Sequence, residues 1–199
     1  MSSSHGLEYV ETIEPTFENA TAILLLTLQD AKAGGFKNPL AIADPSDQKM
    51  VATQQQKLRN HPERYSGFVR DGKLVAYIKQ NDWTTRDEFP FAKWYDVLDL
   101  LVQRLFRMGT YTGMRGVFGL VASDGLSESD RRFVLVTLLE TSFGKRPSGK
   151  ERITNIVLHK NDPLLTIVPD YGFVAFGRSA TAAGAPGLKQ RRYRRLTTN

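Results

Sequence analysis

An α/β fold, with a mixed central sheet flanked by helices, is predicted from three features of this 199-residue chain. Segments of helical and strand periodicity follow one another along it, and an Asp71-Gly72 pair separates two β-forming runs. Strand–helix–strand crossovers also succeed one another in the C-terminal half.

The run 7–13 alternates apolar and polar residues and reads as a first strand. Pro15-Thr16 then starts a helix, with Thr16 as its cap, and Gly34-Gly35 stops it just past Lys32. Asp44-Pro45-Ser46-Asp47 restarts a second helix that reaches Asn60. Asp44 is expected as its N-cap, with Pro45 where a missing N–H costs nothing. The runs 67–70 and 73–78 flank Asp71-Gly72, a strong short hairpin signal because both turn residues must accept positive φ.

From Trp94 the apolar residues Val97, Leu98, Leu101, Leu105 and Met108 mark one face of an amphipathic helix that Gly109 ends. It is an inserted helix between the third and fourth strands. The run 116–122 reads as a buried strand, Ser127 caps a helix to about Phe143, and 153–158 is a further strand. Asp162-Pro163 opens a short helix, and two last strands lie near 173–177 and 190–196. The Ala/Gly-rich link 179–188 reads as a loop within the domain.

A hydrophobic content of 41% with no apolar run near 18 residues supplies a core and gives no membrane span. With no cysteine, and no basic-then-apolar leader in Met1 to Gly6, disulfides, thiolate metal sites and secretion have no support, so a cytoplasmic location is expected. The net charge of +6 is local. Lys189, Arg191, Arg192, Arg194 and Arg195 carry most of the excess, and the rest of the chain holds 22 basic against 21 acidic residues. Two readings of that cluster stay open: attraction of phosphate, in a nucleotide cofactor or RNA, or an exposed strand edge guarded by charge.

The order of elements, together with Asn161, Leu164, Val168, Gly172 and Phe173, resembles the GNAT superfamily of N-acetyltransferases. That family often shows an Asn, a small or apolar residue three later, a Tyr at seven, and Gly-Phe at eleven and twelve. The resemblance implies one acyl-CoA N-acyltransferase domain over residues 1–199, with acetyl-CoA or another acyl-CoA as co-substrate and a small-molecule or peptide amine as acceptor. It also implies that the backbone of Leu120, Val121 and Ala122 pairs with the pantetheine arm. The N–H groups of the segment from Ser127 through Ser129 to Arg131 would then face the pyrophosphate, with Arg132 alongside, and Asn161 would contact the cofactor arm.

Three departures qualify it. The positions where the family's phosphate loop carries Arg/Gln-x-x-Gly-x-Gly/Ala fall near Leu126, Ser129 and Arg131, none of them glycine, and the loop brings Asp124, Glu128 and Asp130. Val168 stands where many members carry the tyrosine that protonates the leaving thiolate, which leaves Tyr171 as a candidate acid. The segment 84–111 replaces a tight hairpin, and Trp83, Phe89, Phe91 and Trp94 would wall an acceptor pocket, line a dimer surface or simply fill core.

His159, at a strand end before Asn161, is the candidate general base. No histidine has a second ligand at metal spacing, so no metal is expected. Gly144 to Lys150 has half of a P-loop pattern, but it follows a helix, precedes a strand and continues into Glu151, so it reads as a turn. The rival to catalysis is a GNAT-like binding protein whose basic strand holds RNA or another partner.

Overall fold

In the computed structural model, residues 6–83, 111–142, 151–181 and 189–197 are described. The expected inserted helix, the turn at 144–150 and the stretch 182–188 of the Ala/Gly-rich link lie outside them.

The first strand is β1 (Leu7–Val10), and α1 (Phe17–Ala33) follows. Thr16 caps α1 as its sequence position suggests, its hydroxyl accepting the Asn19 amide at 3.1 Å. Thr16→Ala is expected to cost about 1 kcal/mol in a denaturant melt, the usual worth of an N-cap. The second helix, α2 (Gln48–Asn60), ends where expected but starts later. Its cap is Asp47, not Asp44: Asp47 Oδ1 accepts the Lys49 and Met50 amides, while Asp44 Oδ1 accepts the Ser46 amide and hydroxyl in a tight turn. Asp44 is taken up by its turn to Ser46, which leaves Asp47 to supply the cap.

The hairpin joins β2 (Tyr65–Arg70) to β3 (Lys73–Trp83), and Asp71 and Gly72 both have positive φ, 52° and 72°. β4 (Tyr111–Ala122), α3 (Glu128–Thr141) and β5 (Glu151–His159) form the crossover. Two 3₁₀ turns, Pro163–Thr166 and Val168–Tyr171, follow, and Gly172 leaves them at φ 74°, a left-handed position suited to glycine. The chain closes with β6 (Val174–Thr181) and β7 (Lys189–Thr197). Residues 179–181, expected in the link, belong to β6.

Among the described residues seven strands form one sheet in the order β1-β2-β3-β4-β5-β7-β6, with β4 and β5 the parallel pair. The basic strand β7 is therefore not an edge: it pairs with β5 on one side and β6 on the other. The guarded-edge reading is corrected by this, since the edges are β1 and β6.

Side chains alternate between two cores, as strand geometry requires. Leu120 and Ala122 join Leu135, Leu138 and Leu158 beneath α3, while Val121 between them joins Ile23, Val51 and Tyr77 beneath α1 and α2. No helix among the described residues is long and apolar enough to cross a membrane.

Candidate active site

The site begins where β4 and β5 stop pairing. Their ladder runs from Tyr111 opposite Glu151 to Val117 opposite Ile156. Past that point, among the described residues, each strand is paired only on its outer side. Leu120, Val121 and Ala122 pair with Ile78, Tyr77 and Ala76 of β3, and Leu158 and His159 with Arg191 and Gln190 of β7. A parallel pair that parts in this way leaves backbone N–H and C=O groups facing a gap, and such groups need a partner.

A cleft of about 150 Å³ occupies this region. Five of the sequence-predicted residues line it together: Leu120, Val121, Ala122, Arg131 and Asn161. Asp30 and Ala33 of α1 and Asp124 complete the wall where the argument needs it.

Ser127 caps α3 by accepting the Asp130 amide at 3.1 Å, and its hydroxyl lies 3.0 Å from that of Ser129. Both serines stand at the helix N-terminus without lining the cleft. Among the described residues the Glu128 and Ser129 amides have no partner, so the first turn keeps donors at the positive end of its dipole.

Two of the three carboxylates that the sequence sets against an anion are already engaged by arginines. Asp130 meets Arg70 at 2.6 Å, and Asp124 meets Arg131 at 3.1 Å. Arg131 also donates to the Ser123 carbonyl at 3.3 Å, while its buried Nε has no partner. Arg132 goes elsewhere: it is exposed and sits 3.8 Å from Asp170. Leu126, at the position where the family's loop carries Arg or Gln, is buried in the core beneath α3.

Asn161 bonds from Nδ2 to the Ala33 carbonyl at 2.8 Å, tying the end of β5 to the end of α1. Its backbone amide donates to His159 Nδ1 at 3.2 Å. That bond fixes the neutral ring as the Nε2–H tautomer, and Nε2 lies 3.1 Å from Asp30 Oδ1. His159 is buried, so it reaches the cleft through Asp30 and not directly.

Burial disfavours the His159 cation, yet the hydrogen bond and charge of Asp30, with the charge of Asp162, raise its pKa overall. Asp162 behind it is pushed up to about 7 by burial and by Asp30, against the Leu164 amide and His159, which favour its ionised form. Ligand atoms of Asp30, His159 and Asp162 all lie within 4.8 Å of one another. A cation there would have to displace the Asp30–His159 hydrogen bond, and Asp162 Oδ1 is occupied by the Leu164 amide at 2.9 Å. Asp30 and His159 share a hydrogen bond, and Asp162 stands beside them with its side chain turned to the Leu164 amide.

Sequence reasoning missed Asp30 and Asp162. Asp162 reads as a cap, which it is, and Asp30 reads as one polar residue near the end of α1. The signal that was present is the change from the apolar run 22–26 to Thr27, Gln29 and Asp30 along α1.

Tyr171 is not brought to this group. Its hydroxyl donates to Glu140 at 3.0 Å, near the C-terminal end of α3, and slight burial, with the bond and charge of Glu140, raises its pKa. Val168 is fully buried core.

No protein-family model matches the sequence, and no curated protein matches it. Solved structures do match. A chain of the NatC complex bound to Gag peptide and CoA superposes with a TM-score of 0.58 at 13% identity, over 96% of this chain and 99% of that one. A polyamine N-acetyltransferase from Drosophila melanogaster gives 0.58 at 14% identity, over 96% and 100%. A GNAT-family acetyltransferase from Streptococcus agalactiae gives 0.54 at 13% identity, over 98% of each chain. With sequence identity this low and coverage this complete, the chain has the fold of the GNAT N-acetyltransferases in a strongly divergent sequence.

Proposed function

We propose that this protein is an acyl-CoA-dependent N-acyltransferase acting on an amine. The observation that carries the reading is the parting of β4 from β5 after Val117 and Ile156, which opens a cleft between unpaired backbone and the first turn of α3. The groups around it fit a thioester cofactor: an arginine with an unpartnered Nε, two helix amides without partners and a strand edge without a neighbour. Leu120, Val121 and Ala122 would hold the amide-rich arm, with Asn161 at its side. Arg131 and the amides of Glu128 and Ser129 would hold the phosphates, with Ser127 and Arg132 outside direct contact.

Acyl-CoA supplies the acyl group as a thioester, already activated toward an amine. The chain's work is to position and to move one proton. Asp30, on the cleft wall, attracts a cationic acceptor and takes the proton that the amine must lose. His159 holds Asp30 through its Nε2–H and passes charge no further than the buried Asp162.

Release of free CoA thiol, followed with a panel of small amines and peptides, tests the reading. Asp30→Asn is expected to lower kcat at least tenfold while CoA affinity stays within threefold, and Tyr171→Phe to leave kcat unchanged. Absence of turnover with every amine at saturating acetyl-CoA would favour the second reading, a GNAT-like binding protein. Buried Val168, and Tyr171 bonded to Glu140 away from the cleft, are the observations on its side.

A further inference from the structure

A second and larger cavity, about 390 Å³, lies between α1, α2 and the strands β2 and β3, beside the cleft and not part of its lining. Its charged lining is all of one sign. Lys49 and Lys57 reach it from α2 and Lys79 from β3, and among the described residues no carboxylate lines it. Among the described residues none of the three lysines forms an ion pair with a side chain.

Lys79 is the telling member. Its ammonium sits 5.8 Å from the centre of the Tyr65 ring, where the ring face attracts it. Burial, and then the nearby Arg64 charge, hold its pKa below the ordinary lysine range. A partly desolvated ammonium beside further positive charges is unfavourable until an anion joins it.

A second observation is independent of charge. Gln54 also lines the cavity; it is 7% exposed, and its Nε2 has no partner, so a buried donor is left waiting. The floor is equally built, with the Tyr77 hydroxyl 2.8 Å from that of Thr27. Ile23, Leu24, Ile42 and Met50 give the rest of the wall an apolar surface.

We propose that this cavity is a binding site for a small anionic amphiphile, whose carboxylate or phosphate is held by Lys49, Lys57, Lys79 and Gln54 and whose apolar arm lies against Ile23, Leu24, Ile42 and Met50. The site stands apart from acyl transfer, because cofactor and proton chemistry in the cleft use none of these residues. Binding alone reads it out.

Three probes of matched length separate the outcomes: hexanoate, hexyl phosphate and hexylamine, titrated calorimetrically into the full chain at constant ionic strength. One or both anions are expected to bind, with hexylamine at least tenfold weaker, and the stronger anion identifies the ligand class as carboxylate or phosphate. Lys57→Gln/Lys79→Gln is expected to weaken the favoured anion at least tenfold. Ile42→Trp, which fills the mouth from a position 41% exposed, is expected to do the same without removing a charge. Lys160→Gln, at an exposed lysine that does not line the cavity, is the unchanged control. Equal binding of hexylamine, undiminished anion binding in both variants, or no binding of either anion at millimolar concentration would each overturn the proposal.

Discussion

Arg131→Glu is expected to weaken CoA binding at least tenfold, while Arg132→Glu changes it less than threefold. The two arginines are neighbours on α3 and alike in sequence, but only Arg131 lines the cleft, held over it by Asp124 at 3.1 Å and by the Ser123 carbonyl at 3.3 Å. Arg132 is drawn toward Asp170 on the exposed side. Truncating one member of a desolvated charged contact costs about 2–5 kcal/mol, and about 1.4 kcal/mol is a factor of ten, so tenfold is the lower bound of the effect.

Asp124→Asn makes the complementary case. It removes a carboxylate from the cleft wall and sacrifices only a half-exposed ion pair, which is worth about 1 kcal/mol or less. Its CoA affinity is expected to rise about threefold, as attraction at the helix N-terminus gains from losing one negative charge. Isothermal titration of the three variants checks the set, and a loss in Arg132→Glu equal to that in Arg131→Glu would contradict the placement of the phosphates.

The second large effect is on stability. Native Asp162 has its pKa raised from 3.8 to about 7, so between those values the folded protein keeps a proton that the unfolded chain gives up. The contribution of Asp162 to stability is therefore fullest below about pH 4, declines as pH rises through about 7, and stays lower above. His159, also raised, adds to the decline above its ordinary value of 6.5.

Asp162→Asn keeps the Oδ1 that accepts the Leu164 amide at 2.9 Å but has no charge to bury. Its unfolding free energy is expected to exceed that of the parent by roughly 2–4 kcal/mol at pH 8, with little difference at pH 4. Urea melts at the two pH values decide it. Parallel losses in parent and variant would mean that Asp162 ionises in the fold without penalty.

What the sequence made legible was local. The Asp71-Gly72 turn and the Thr16 and Ser127 caps each depend on a few adjacent residues, and each has its expected conformation. The cap of the second helix was expected at Asp44, and Asp47, three residues on, takes it.

Non-local pairing was the harder part. β7, five of whose nine residues are Lys or Arg, left open a phosphate-attracting strand or a charged edge, but strand order is set by which strands lie beside it, and β5 and β6 do. The site divides in the same way. Leu120, Val121, Ala122, Arg131 and Asn161 follow from a resemblance carried by segment order. Asp30 meets His159 across 129 residues of sequence, and that approach exists only once α1 lies over the end of β5. The lysine-lined cavity is equally invisible in one dimension, since Lys49, Lys57 and Lys79 come from a helix and a strand that share a face only in the fold.

The central claim is that the cleft beside the parted strands holds CoA. Calorimetric titration of the unmodified chain with CoA tests it, with thermal melting as the parallel readout. Saturable one-to-one binding is predicted, with about 2.7 kcal/mol of added stability at a hundredfold excess over Kd. Neither heat nor a melting shift at millimolar CoA would contradict it.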